Sequence, residues 1–280
     1  MKSRLNWVVA FPEEAKVVIN AFHLKRIEAK SDHYPVYESE SGEVGLIVSG
    51  IGKVSAAAAT MSLIETSEPE PGAVGWINFG IGGCSECRYG EPILASKITD
   101  EGTGRSWYPV PTWDRKRDLR RLPVTTVDRP VEDHSRNPGI VEMEASGFFP
   151  IALKRSSVEL AQVLKVISDD PEHSVKDLSK DRVDGLCQAA WPSVLAWVEG
   201  FREVIESESL RLAEPPGYLE WELHYRFTAT QRHQLRRLLQ DWAALQPGTL
   251  PSVEAKGNPK EALQRLRGAL SSLRESKNRI

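Results

Sequence analysis

The sequence predicts an α/β fold: helices on both faces of a sheet, followed by a small, mostly helical extension. Two observations carry this. Apolar runs of strand length alternate with helical periods as far as about residue 206, the pattern of a sheet covered by helices. After Leu212 that alternation stops, and Pro215-Pro216-Gly217 marks a break. The expected division is therefore residues 1–212 and 213–280.

The elements follow in order. Leu5 to Phe11 reads as a first strand, with Trp7-Val8-Val9-Ala10 a continuous apolar run of the kind buried on both faces. Glu14 to Phe22 reads as a helix. Val36 to Ser39 and Val44 to Val48 form a strand pair around Ser41-Gly42. Ser55 to Ile64 is helical and rich in alanine, a strong helix former. Pro69 to Gly72 is a loop, and Val74 to Phe79 is a buried strand with Gly80-Ile81-Gly82-Gly83 in the loop after it. Pro92 to Thr99 is a strand, residues 100–123 a loop, Val124 to Val127 a strand and Pro130 to Gly139 a loop. Glu142 to Arg155 reads as a helix, Leu160 to Ile167 as an apolar strand and Leu186 to Glu206 as a long amphipathic helix. In the extension, Tyr218 to Phe227 alternates like a strand. Thr228 or Thr230 is placed to cap a helix from Gln231 to Leu245. Pro247 to Pro259 links it to a last helix, Glu261 to Leu273.

Composition excludes several classes. Hydrophobic residues make up 40% and charged residues 27%, as in ordinary globular proteins. No window reaches the roughly 18 apolar residues that a membrane helix needs, so no membrane partner is expected. The net charge of −3 argues against a protein built around nucleic acid. Residues 211–280 do carry 12 Lys/Arg against 7 Asp/Glu. Yet Leu235, Leu238, Leu239, Trp242 and Leu245 share one helical face there, so a solvated basic face is the favoured reading and nucleic acid is not an expected partner. Cys84, Cys87 and Cys187 are few and odd in number, which points to the cytoplasm. Cys84-Ser85-Glu86-Cys87 lacks a second ligand pair and reads as two incidental thiols. No metal or cofactor is expected.

The chemistry lies in carboxylates set in or beside apolar runs. Val141-Glu142-Met143-Glu144-Ala145 and Ile167-Ser168-Asp169 place charges where burial is costly without a partner. Such groups suit holding hydroxyls and moving protons. Gly50-x-Gly52 and Gly80-x-Gly82-Gly83 follow strands, where open α/β sheets bind ligands; each alone is also compatible with a tight turn. Glu13 and Glu14 open a helix, where acids are favoured by the helix dipole.

Taken together, strand-then-Glu14, Ser49-Gly50-Ile51-Gly52-Lys53-Val54, Asn78-Phe79-Gly80-Ile81-Gly82-Gly83, Val141-Glu142-Met143-Glu144-Ala145 and Ile167-Ser168-Asp169 resemble the nucleoside phosphorylase/nucleosidase superfamily. The pattern is most similar to its methylthioadenosine/S-adenosylhomocysteine nucleosidases, over about residues 5–206. The resemblance implies a three-layer α/β/α sandwich with a mixed sheet, of nucleoside phosphorylase type. It also implies a purine nucleoside as small-molecule partner and a homo-oligomer whose subunits share residues across sites. By resemblance, Asp169 protonates N7 of the leaving purine and Glu14 orients the attacking water. Glu144 binds ribose hydroxyls while Met143 packs on the sugar. Gly82 and Gly83 line the ribose and base side, Ile51 borders the 5′ substituent, and Ile81 replaces a small polar residue near the ribose.

The sequence departs from the pattern in other places. The stretch before Glu142 is shortened where an aromatic normally stacks on the base; Asp128-Arg129-Pro130-Val131 is its remnant, with Val131 as the candidate wall. Lys165 stands where an arginine is usual. A carboxylate at Glu14 would repel phosphate, and the Gly80 segment lacks the Ser or Thr of phosphorylases. The leading expectation is thus hydrolysis of a 5′-modified adenosine. A purine nucleoside phosphorylase, or a nucleoside-binding or assembly protein with little turnover, are the alternatives.

Overall fold

A computed structural model describes residues 3–28, 33–66, 72–110, 119–131, 139–253 and 257–277. The chain divides into two compact units, Met1–Leu212 and Ala213–Ile280.

The first unit contains β1 (Arg4–Val9), α1 (Pro12–Phe22), β2 (Lys25–Ile27), β3 (Val36–Glu38), β4 (Val44–Val48), α2 (Lys53–Thr66) and β5 (Val74–Gly83). These are followed by β6 (Pro92–Asp100), β7 (Ser106–Trp107), β8 (Arg121–Thr126), β9 (Ile140–Glu142), α3 (Ala145–Ala152), β10 (Ala161–Asp169) and α4 (Lys180–Leu212). The sheet is mixed. β1 runs parallel to β4 and β5, β5 parallel to β10, and β10 antiparallel to β6. In sheet order β10-β6-β8-β9-β5-β1-β4-β3-β2, β5 also pairs with β10, so five strands close on themselves at one end. That closure brings the ends of β5, β9 and β10 together.

Two apolar clusters flank the sheet. Trp7, Val9, Ile77, Phe79 and Leu164 pack with Val17 and Val18 of α1 and with Val194, Trp197 and Phe201 of α4. Val8, Trp76, Val163 and Ile167 pack instead with Ala56, Ala59 and Leu63 of α2 and with Phe148 and Phe149 of α3. Successive strand residues point to opposite faces, so Trp76 and Ile77 feed different clusters.

The boundaries correct several expectations. Gly80 to Gly83 lie inside β5 and not in a loop after it. Glu142 ends a strand, and helix α3 begins only at Ala145. The strand expected to end at Ile167 runs on to Asp169, the last residue of β10. Residues 100–123 include β7 and the start of β8, although 111–118 fall outside the described residues. So do 67–71 in the expected Pro69 to Gly72 loop and 132–138 in the expected Pro130 to Gly139 loop.

The second unit contains α5 (Tyr218–His224), α6 (Ala229–Leu245) and α7 (Pro259–Lys277). Alternation predicts a strand over Tyr218 to Phe227, yet its first seven residues are helical. Leu219, Trp221, Leu223, Tyr225 and Phe227 alternate, but Tyr218, Trp221 and Tyr225 fall at a helical spacing, and burying these with Phe227, Leu235, Leu239, Leu263 and Leu266 while Leu219 and Leu223 stay exposed decides for the helix. Thr228 caps α6, accepting from the Gln231 backbone N–H while Gln231 reaches back to Thr228. On the basic face Arg232 pairs with Glu222, Arg236 with Glu214 and Arg274 with Asp241.

Candidate active site

The apolar run of β1 delivers the chain to Pro12, the first residue of α1, where a fixed φ suits a helix start. Glu14, two residues on, folds its carboxylate back over that start. Oε2 accepts from the backbone N–H of Ala10 at 2.8 Å and of Phe11 at 2.9 Å. Oε1 accepts from Ile81 N–H at 3.0 Å, which ties α1 to β5. Glu14 is nevertheless pushed up to about 7, because burial penalises its charge more than Lys165 and these donors favour it.

Glu144 is placed by a different contact. Gly50 and Gly52 both adopt left-handed φ, 78° and 100°, which glycine accepts without strain. The turn they make aims the Gly52 N–H at Glu144 Oε1, 2.9 Å away. Lys53, the next residue, is held by Asp100 at 2.8 Å and Asp128 at 3.0 Å. Asp100 also accepts from Ser146 Oγ at 2.8 Å, so the starts of α2 and α3 are fastened to the end of β6. Burial opposes the charge on Asp100, but the bonds from Lys53, Thr103 and Ser146 outweigh it and hold the carboxyl below the usual range.

Glu142 is almost fully enclosed. Its carboxylate accepts from Thr126 Oγ1 at 2.5 Å and from the backbone N–H of Glu144 at 3.0 Å and Ala145 at 2.9 Å. It thereby satisfies the first donors of α3, a favourable place for an anion. Lys165 Nζ lies 2.8 Å from Glu142 and 3.4 Å from Glu144. Burial works against the Lys165 charge, but these carboxylates reverse that and raise its pKa. Glu144 is itself raised, chiefly by burial, with Lys165 acting in the opposite direction.

Asp169 reaches the same place through an irregularity. Ile167 pairs with Gly82 and Asp169 with Gly83, so Ser168 is an extra residue opposite β5. Such a bulge re-aims neighbouring side chains. Ser168 Oγ donates to Asp169 Oδ1 at 2.6 Å, and both residues face one cavity.

That cavity gathers Ile51, Ile81, Gly82, Gly83, Val131, Met143, Glu144 and Asp169. Every expected site residue except Glu14 therefore lines it, and Glu14 is bonded to Ile81 in its wall. Its remaining walls are Phe11, Val127, Pro130, Val141, Glu142, Ser168, Val175 and Leu178. Phe11, Val175 and Leu178 escaped the sequence reading because single apolar residues in connecting segments carry no motif. Pro130 and Val131 border the cavity from the remnant segment. Among the described residues the lining holds no Lys, Arg or His.

Cys84 and Cys87, expected to be incidental thiols, are joined as a disulfide just after Gly83. Cys84 N–H donates to Asp169 O at 2.9 Å, so this loop is fastened to the end of β10. A separation of three residues permits this short-range bond, which needs neither a metal nor a distant partner cysteine.

No family model matches the sequence, and no curated protein matches it. Solved structures do. The 5′-methylthioadenosine nucleosidase of Arabidopsis thaliana superposes with a TM-score of 0.58 at 15% identity, over 71% of this chain and 96% of that one. The fold is that of a nucleosidase. The methylthioadenosine/S-adenosylhomocysteine nucleosidase of Colwellia psychrerythraea 34H, solved with adenine, gives 0.57 at 17% identity over 72% of this chain and 96% of that one. Futalosine hydrolase of Helicobacter pylori gives 0.56 at 15% identity over 70% of this chain and 97% of that one. The nucleosidase fold thus spans nearly the whole of each of these proteins and about seven tenths of this chain.

Proposed function

We propose that residues 1–212 hydrolyse the N-glycosidic bond of a purine nucleoside, a 5′-modified adenosine, within an α/β/α sandwich formed by the two clusters on the sheet. The observation that carries this is the convergence of Glu144 and Asp169 on one largely apolar cavity, with Glu14 bonded to Ile81 in its wall and each carboxylate held by different partners. The named activities of the fold neighbours, on methylthioadenosine and futalosine, lend support.

Cleaving this bond creates an oxocarbenium-like sugar and a poor purine anion. Asp169 protonates N7, so the base leaves neutral. Glu144 takes the ribose hydroxyls, with Met143 against the sugar and Gly82 and Gly83 allowing close approach. Glu14 orients water and accepts its proton. A group with a pKa near 7 is well matched to that role at neutral pH. Of the residues lining the cavity, Ile51 borders the 5′ substituent and Val131 the base in this reading.

The test is a panel of adenine, guanine and hypoxanthine nucleosides, with and without phosphate. Free purine released without phosphate is the expected result. Strict phosphate dependence with a sugar 1-phosphate product would make the chain a phosphorylase, for which the cavity lining offers no cation among the described residues. Tight nucleoside binding without base release would make it a binding protein.

We also infer a homo-oligomer. Ile51 is 51% exposed and Val54 78%, and α2 presents Met61 to the same solvent. An outer helix face that is apolar is normally covered.

A further inference from the structure

Three carboxylates and one ammonium meet beside the cavity. Lys165, in register with Gly80, is 1% exposed and has Glu142 at 2.8 Å and Glu144 at 3.4 Å. Glu142 already accepts from Thr126 and from two backbone N–H groups of the 144–145 turn, which fix it in place. Glu144 has one backbone donor and the longer contact to the amine. The charged or titratable groups facing Glu14 are Lys165 from β10, Glu144 from the start of α3 and Cys187 from α4, with Glu13 on its own helix.

We propose that Glu142 is a positioning residue that holds the Lys165 ammonium on its own side of the cluster, and so sets the pH at which Glu14 becomes a carboxylate. The water-activating role of Glu14 rests on the nucleosidase reading; the charge coupling does not. The argument is electrostatic. A single positive charge is divided among three negative neighbours, and its effect falls with distance. The shortest and best supported contact belongs to Glu142, the one of the three with no proton or hydroxyl to handle. Glu142 therefore neutralises most of that charge. Glu14 and Glu144 receive the remainder, which leaves Glu14 able to hold a proton at neutral pH. Neutralising Glu142 sends the ammonium toward Glu144 and exposes Glu14 to more of its field. Removing the ammonium does the opposite.

The experiment is a carboxyl-carbon NMR titration of the full chain labelled with ¹³C at the glutamate side-chain carboxyl, with Glu14 assigned by loss of its signal in Glu14→Gln. Glu142→Gln is expected to move the Glu14 midpoint down by about one pH unit, and Lys165→Met to move it up by a similar amount. Lys165→Arg keeps the charge and is expected to leave the midpoint near that of the wild type. A role in folding alone would not shift one carboxyl in opposite directions. Midpoints unchanged in both variants, or moved the same way, overturn the proposal. If Glu142→Gln does not fold, the Lys165 pair decides: an upward shift in Lys165→Met that Lys165→Arg lacks supports it, and no shift overturns it. The titration needs no substrate. A nucleoside panel without turnover would therefore sink the nucleosidase reading and leave this coupling to be judged separately.

Discussion

A Cβ built on Gly80 would lie 2.7 Å from Glu14 Oε1. Real side chains do not come so close, so the carboxylate, whose other oxygen is bonded to Ala10 and Phe11, must shift. Gly80 is thus the residue that allows Glu14 to reach Ile81. Gly80→Ala is expected to break the Glu14–Ile81 bond and lower kcat on a purine nucleoside by about 100-fold, in line with displacing a proton-transfer group. The fold should persist, since the clash is with one side chain. Circular dichroism and steady-state kinetics check this; wild-type kcat would disprove the arrangement.

Glu14 also predicts a pH signature. Its carboxyl is raised from 4.5 to about 7 in the folded chain, so the folded state holds its proton more tightly than the unfolded state. That contribution to stability is complete below about pH 4.5 and is lost as pH rises through about 7. Across this window the wild type should lose stability relative to Glu14→Gln by on the order of 3 kcal/mol, because a tenfold change in proton affinity is worth roughly 1.4 kcal/mol. Urea melts of both proteins from pH 4 to 8 measure it; parallel stability curves would show that Glu14 is not buried as a neutral acid. In kinetics, kcat of the wild type should rise with pH through the same region, because the acceptor of the water proton must be ionised.

Much of this site was legible in the sequence because its motifs are short and contiguous. Glu144 and Met143 come from one turn, Asp169 from one strand end and Gly82-Gly83 from another. The longer strands β1, β4, β5, β6 and β10 were equally open to reading, since buried strands are apolar for most of their length, but the short β2, β7 and β9 were not. What stayed hidden depends on long-range geometry. The partners of Glu142 come from β8, β10 and its own turn; the sequence offers Lys165 as one base that could pair with it, but nothing local marks Thr126 as a donor. Residues Tyr218 to His224 fit two periods, so only the cluster they bury could choose between them. The bond between Cys84 and Cys87 needed a backbone that brings their Cα atoms to 5.6 Å.

The exposed face of α2 gives a prediction of assembly. Val54→Lys places a charge on a side chain that is 78% exposed and makes no demand on the core. If a second copy covers this face, light scattering should show a shift from oligomer to monomer while the melting temperature of the isolated fold changes little. A wild-type chain that is monomeric at micromolar concentration would remove the inferred oligomer altogether.

The crossing of α2 and α3 yields the sharpest structural test. A Cβ on Gly147 would lie 1.8 Å from the carbonyl oxygen of Lys53, a backbone atom that cannot swing aside. Gly147→Ala must therefore push the start of α2 away from α3, and the Gly52 N–H moves with it. Overpacking of this kind costs about 1–3 kcal/mol or more, and Glu144 loses its only backbone donor among the described contacts. Lys53→Met acts on the same region more gently. It frees Asp100 and Asp128 without a clash, but Asp100 is buried and keeps only its Thr103 and Ser146 donors, so the loss of its cation costs stability as well. Both variants are expected to raise KM for the nucleoside, because Glu144 grips ribose in the ground state as well as the transition state. Both should also lower the urea midpoint, and only Lys53→Met should recover as pH falls and Asp100 takes up a proton. A Gly147→Ala protein with wild-type stability and KM would mean that the two helices do not meet as closely as the Gly52–Glu144 bond requires.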